Sequence, residues 1–174
     1  SGVIEFDGDS AWFENVRAKL PGSSLTATGT YYSSTDEMHV VAKGNAAFAD
    51  FRWVFPTFPS TGGGTLGFEM TWDDERGDTY LIRDANLRTG AATARGDFGI
   101  RLKDDSIFFQ DADFVASGVD TRLIEQVGEV DLPRRGTVGG SVKADGPLHA
   151  ARVQADVTFD DAAAGRSRVV AAGV

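Results

Sequence analysis

Cysteine is absent from these 174 residues, which excludes disulfides and thiolate metal sites. Histidine occurs only as His39 and His149. A Ser–His–Asp constellation needs a base held by its own local partners, and neither histidine lies in a motif that supplies one. No catalytic residue, cofactor or metal ion is therefore expected. No run approaches the roughly 20 apolar residues of a spanning helix, so no membrane span is expected in this piece, and no signal peptide opens it. Basic residues are outnumbered, 17 to 26, for a net charge of −9. That field repels phosphate backbones, and nucleic acid is not an expected partner.

What the chain does have is glycine, 21 residues of it, and strand-like alternation throughout. Leu66, Phe68, Met70 and Trp72 alternate with Gly67, Glu69, Thr71 and Asp73. The same period runs through Leu25, Ala27, Gly29 and Tyr31, through Ala92 to Leu102, and through Val153 to Phe159. A period of two with one wet and one dry side marks antiparallel strands with a single buried face. Turn residues fall between the runs, at Asp7-Gly8-Asp9, Ser33 to Asp36, Asp73 to Gly77, Lys103-Asp104-Asp105 and Asp160-Asp161. About ten strands are expected, in an all-β fold.

Two segments leave this pattern. Asn45 to Phe55 carries Phe48, Phe51 and Phe55 at helical spacing, with Pro56 and Pro59 beyond. Val119, Leu123 and Val127 recur at every fourth position, with Ser117 and Asp120 resembling a capping box ahead of them. Each predicts a helix of two or three turns.

The pieces repeat. Gly22 to Tyr31 echoes Gly90 to Phe98, and Gly64-Thr65-Leu66-Gly67 echoes Gly136-Thr137-Val138-Gly139, roughly 70 residues apart in each case. Both predicted helices precede the Gly-Thr strand, as do Pro59 and Pro133. The chain reads as one β-rich repeat domain of about two and a half units, with boundaries at 1–61, 62–134 and 135–174. Each unit is four strands and a short helix, and such units stack on neighbours. Gly62-Gly63-Gly64 reads as a joint between units. With Ser1-Gly2-Val3 at one end and the apolar run 168–174 at the other, the expectation is a piece excised from a longer chain.

Three stretches carry a family resemblance. Gly118 to Val127, Arg135 to Leu148 with its Gly-Thr-Val-Gly and Gly-Pro-Leu, and the alternating strand Ala150 to Phe159 resemble the AsmA/TamB superfamily of bacterial envelope proteins. Strand grammar of this kind recurs many times in that family, and the resemblance is best over 79–159. It implies a β-taco, a curled sheet with an apolar inner face. It further implies a periplasmic location at or near a membrane, phospholipid acyl chains as ligands, and a membrane protein partner. The family's membrane anchor and terminal domain are not expected within this piece.

Two sets of residues are candidate contact sites. Leu25, Tyr31, Leu66, Phe68, Met70, Trp72, Phe98, Ile100 and Leu102 form a row that lines either an acyl-chain groove or a closed β core. Phe48, Phe51, Trp53, Phe55 and Phe58 form the densest aromatic cluster, either a docking patch for a membrane or protein partner or a plug at the end of the core. Trp53, off the phenylalanine stripe, is the one singled out as exposed. The acidic groups at 73–75, 104–105 and 160–161 match no Ca²⁺ loop pattern, and hairpin turns favour Asp for its local hydrogen bonds. The functional reading is a non-catalytic, lipid-contacting periplasmic scaffold. The alternative is a structural accessory subunit docked on the periplasmic face of a membrane protein complex.

Overall fold

The computed structural model describes residues 2–53, 55–161 and 163–173. Eleven strands follow one another in chain order: β1 (Val3–Asp7), β2 (Ser10–Lys19), β3 (Ser24–Tyr32), β4 (Glu37–Ala47), β5 (Gly63–Trp72), β6 (Asp78–Thr89), β7 (Ala92–Lys103), β8 (Ser106–Asp120), β9 (Gly136–Pro147), β10 (Arg152–Asp161) and β11 (Gly165–Gly173). All pair antiparallel with their sequence neighbours in one sheet, which is curled and does not close, because β1 and β11 are its two outer strands. The one α-helix among the described residues, α1 (Thr121–Gly128), follows β8. One turn of 3₁₀ helix follows β4 (Phe48–Phe51) and another follows β9 (Leu148–Ala150). Four strands and then a helical turn thus occur twice in succession.

Cross-strand register turns the alternation into two faces. Val16, Ala27, Ala42, Phe68, Ile82 and Phe98 are successive partners across β2 to β7, so one apolar row crosses six strands. Ala94, Ala116, Gly140, Val157 and Val169 continue the same face to β11. The other face is polar, and from β6 to β11 it pairs its own charges. Arg83 meets Asp111 at 3.1 Å, Lys143 meets Asp113 at 2.6 Å, and Arg166 meets Asp160 at 2.8 Å. Exposed pairs of this kind contribute little each.

Strict alternation fails at four points, and a bulge absorbs each failure. Phe13 and Val16, Ile82 and Ala85, Phe109 and Ala112, and Ala116 and Val119 are three apart in sequence, yet the register shifts between them. An extra residue in one strand returns the next apolar side chain to the apolar face, and also bends and twists the strand. Asn15, Asp84 and Asp111 supply the left-handed conformation, with φ of 51°, 49° and 51°, and Gly118 does so with φ of 62°. Asn, Asp and Gly adopt that conformation at the least cost.

Among the described residues no second sheet covers the apolar face, and only α1 and the β4–β5 connection lie against one end of it. Four of the five buried apolar residues are alanines (42, 46, 85 and 92), small enough to be shadowed by their neighbours. The fifth, Leu81, belongs to the polar face, where its partner Gly99 leaves room for it. A compact monomer of this size exposes about 8,200 Å², whereas this chain exposes 11266 Å².

Several local expectations are corrected. The segment from Asn45 is strand as far as Ala47, because Ala46 and Ala47 pair with Gly64 and Gly63, and only Phe48–Phe51 turns helically. Val54 and its part of that predicted helix lie outside the described residues. The second helix begins at Thr121 rather than Val119. Asp120 caps it by accepting from Arg122 N at 2.8 Å, while Ser117 stays in β8 and bonds Thr93. Gly63 and Gly64 are no joint. They lie within β5, where an added Cβ would come within 2.1 and 2.0 Å of the carbonyl oxygens of Ala46 and Asn86. His149 lies in the 3₁₀ turn after β9.

Candidate functional site: an apolar sheet face and its capped end

In this meander the connections alternate between two ends of the strands. One end carries β2–β3, β4–β5, β6–β7, β8–β9 and β10–β11, and with them the Phe48–Phe51 turn and α1. The other carries only short turns and the 3₁₀ turn with His149. The charge follows the same division. Connections at the second end hold Asp9, Asp36, Asp73, Asp74, Glu75, Asp104 and Asp105 against Arg76 alone, whereas acids and bases balance at the helix-bearing end. These acids serve the turns: Asp73 Oδ1 accepts from the amides of Glu75 and Arg76 at 2.9 and 2.8 Å. Asp36, Asp104 and Asp105 adopt positive φ. Their charge nevertheless remains at that end.

The helix-bearing end is closed by two caps tied together. Asp50 Oδ2 accepts from Gly22 N at 2.9 Å and from Ser23 Oγ at 2.6 Å, fixing the β4–β5 connection to the β2–β3 turn. Phe58 packs edge-on against Phe48 at 5.8 Å and stacks on Phe55 at 4.9 Å. From the other side, α1 is held by Asp120 at its start. Beyond its left-handed Glu129, the chain folds back so that Leu132 N donates to Glu125 Oε1 at 2.9 Å and Arg135 pairs with Glu125 Oε2. The Arg135 hydrogen bond, with the Leu132 amide beside it, holds the Glu125 carboxyl below the usual carboxylate range. Gln126 Nε2 donates to Thr57 O at 2.8 Å and so joins the two caps.

Between the caps and the apolar face lies a cavity of about 440 Å³, lined by Phe48, Phe58, Leu87, Ala94, Leu123 and Val127 among others. Its wall is almost wholly hydrocarbon, and burial of apolar surface is the interaction it offers. A buried CH₂ group is worth about 0.8 kcal/mol.

The candidate residues divide accordingly. Leu25, Tyr31, Leu66, Phe68, Met70, Trp72, Phe98, Ile100 and Leu102 all stand on the apolar face, and none is fully buried. Phe98 packs edge-on with Phe109 and Phe114. None of the nine lines the capped cavity. Phe48 and Phe58 do, Phe51 sits half-exposed in the 3₁₀ turn, and Phe55 and Trp53 face outward, 51% and 82% exposed. Leu87 and Ile124 line the cavity without having been singled out in the sequence. Ile124 sits beside the Val119-Leu123-Val127 stripe and widens it, which is the signal that marks it.

On the polar face His39 Nε2 lies 3.1 Å from Glu69 Oε1, far in the sheet from His149. Among the described residues, no three His, Asp or Glu side chains converge as a metal ion requires, and no helix is long and apolar enough to cross a membrane. No family model, characterised protein or solved structure matches this chain.

Proposed function

We propose that this chain is a non-catalytic scaffold of the bacterial periplasm whose apolar sheet face carries phospholipid acyl chains, in the manner of an AsmA/TamB-like protein. The reading rests on one observation: an apolar face continuous from β2 to β11, covered by protein only at its helix-bearing end, where it meets a hydrocarbon-lined cavity. Alternating strands normally bury their dry side, and an apolar surface of this extent signals a ligand or partner. The strand grammar of residues 118–159 supports the family and, through it, the compartment and the lipid. The test is native mass spectrometry of the chain isolated gently from membranes. Bound phospholipid is expected, and it should be lost in Phe68→Glu and Phe98→Glu variants whose circular dichroism is unchanged. A chain free of lipid in its native form overturns the reading.

A second reading has its own support. The outer strands β1 and β11 keep one side of their backbone unpaired and their apolar side chains in solvent, with Phe6 79% exposed. Edges of this kind accept further strands. A structural subunit docked through these edges on the periplasmic face of a membrane protein complex would show a stoichiometric protein partner and no lipid in the same experiment.

A further inference from the structure

We infer that the helix-bearing end of the sheet is a membrane-docking tip, seated in the interfacial region of a lipid bilayer through Trp53 and Phe55. Three features converge on that end. The first is exposure. Trp53 is 82% exposed, more than any other large apolar residue among those described, and Phe55, Leu20, Val127 and Val130 on neighbouring connections are exposed with it. Trp and other amphipathic aromatics favour the headgroup level, where the ring is partly dehydrated and a polar edge stays wet.

The second feature is charge. Acids and bases balance in the connections at this end, and Arg52, Arg122 and Arg134 have no carboxylate partner among the described residues. Among the described residues the Arg52 guanidinium donates only to the carbonyl of Pro56. The opposite end carries seven acids against one arginine in its turns. Apolar side chains are exposed there too, at Trp72, Leu102 and Ile107. Seating them in a bilayer would drive that acidic rim among the headgroups, where anionic lipids repel it. Charge therefore orients the molecule with its acidic turns away from the membrane.

The third is placement. Phe55 stacks on Phe58, and Phe58 lines the hydrocarbon cavity. A tip seated at the interface brings that cavity to the depth at which acyl chains begin, which is where a lipid-carrying protein needs its entrance. In this last respect the inference rests on the proposed function, whereas the exposure and charge arguments do not.

The chain has three tryptophans, at positions 12, 53 and 72, so each can be isolated as a probe. In the full chain carrying Trp12→Phe and Trp72→Phe, Trp53 should shift to shorter emission wavelengths on mixing with phosphatidylcholine vesicles. It should be quenched when their acyl chains are brominated near the headgroup, and a share of phosphatidylglycerol should not abolish this. Carrying Trp12→Phe and Trp53→Phe instead, the chain should show Trp72 unquenched. Sedimentation with vesicles should fall roughly tenfold in a Trp53→Ser, Phe55→Ser variant, whose fold an exposed pair leaves intact. An unshifted Trp53 with both vesicle types overturns the inference, as does equal quenching of Trp72. A chain that docks in this way but carries no phospholipid after isolation supports the tip and rejects the lipid-carrying reading. One that carries phospholipid with Trp53 unquenched rejects the tip alone.

Discussion

Gln126 and Thr57 are 69 residues apart in sequence, and one hydrogen bond of 2.8 Å between them ties together the two caps beside the hydrocarbon cavity. The donor is a side-chain amide on α1 and the acceptor a backbone carbonyl in the β4–β5 connection. Nothing else among the described hydrogen bonds links the two caps. Gln126→Ala is expected to cost about 1 kcal/mol, the net worth of an ordinary hydrogen bond. The larger effect should be local. Hydrogen exchange should quicken in Thr121–Gly128 while the amides of β5 to β7 keep their protection. Equal loss of protection in both regions would mean that the caps unfold only with the sheet.

The bulges give a sharper test of how the sequence encodes the sheet. At Asp84 the chain needs one extra residue to keep Ile82 and Ala85 on the same face, and its φ of 49° suits Asp, Asn or Gly. Asp84→Ala should therefore destabilise by roughly 1–2 kcal/mol and Asp84→Gly by less, measured by urea unfolding. Deleting Asp84 outright restores simple alternation and should leave a folded protein. Deleting Thr71, in the regular part of β5, sends Trp72 to the polar face and should not.

Much of the fold was legible because alternation is a local signal. The runs around Leu66 and Phe98 identify both the strands and the side that stays dry, and the Asp-rich turns fall where the chain reverses. Three things were not legible. The Phe48-Phe51-Phe55 spacing suggests a longer helix, but pairing of Ala46 and Ala47 with β5 takes the residues that would start it. The bulges at Asn15, Asp84, Asp111 and Gly118 interrupt the period. Their signature is an apolar pair three apart with Asn, Asp or Gly before the second member, and it becomes visible only once the register is known. The capped cavity joins residues from the β4–β5 connection, β6 to β8 and α1, and no local pattern relates such distant segments.

Glycines separate into those that turn the chain and those that let strands meet. Gly90 has φ of 57° and open space around the position of a Cβ, whereas at Gly96, with φ of 132°, a Cβ would stand 1.9 Å from the carbonyl oxygen of Asp113. Gly90→Ala meets only the left-handed penalty and should cost about 1 kcal/mol. Gly96→Ala must also push β7 and β8 apart, and should cost about 3 kcal/mol or more. Chemical denaturation of the two variants gives the comparison directly. Equal losses would show that β8 yields freely at Asp113.

Acid should detach the β11 edge first. Asp160 accepts two hydrogen bonds from Arg166, both 2.8 Å, and Asp156 is paired with Arg168 in the same way. These bonds hold both carboxyls below the usual aspartate range. A carboxyl whose pKa is lowered by folding binds protons more tightly in the unfolded chain. Its contribution is therefore present above the unfolded value of about 3.9 and is lost as pH falls through the folded value. Glu125 obeys the same sign at the α1 cap. Protection of β11 amides should be flat between about pH 5 and 8 and fall below about pH 4, ahead of the amides of β6 and β7, whose strands are paired on both sides. In an Asp156→Asn, Asp160→Asn variant, β11 should already be loosened at neutral pH, and its remaining protection should no longer depend on acid. Both pairs are exposed, so the contribution is small and local to the edge. Simultaneous loss across all strands at one pH would show that the arginines do not hold β11 in place.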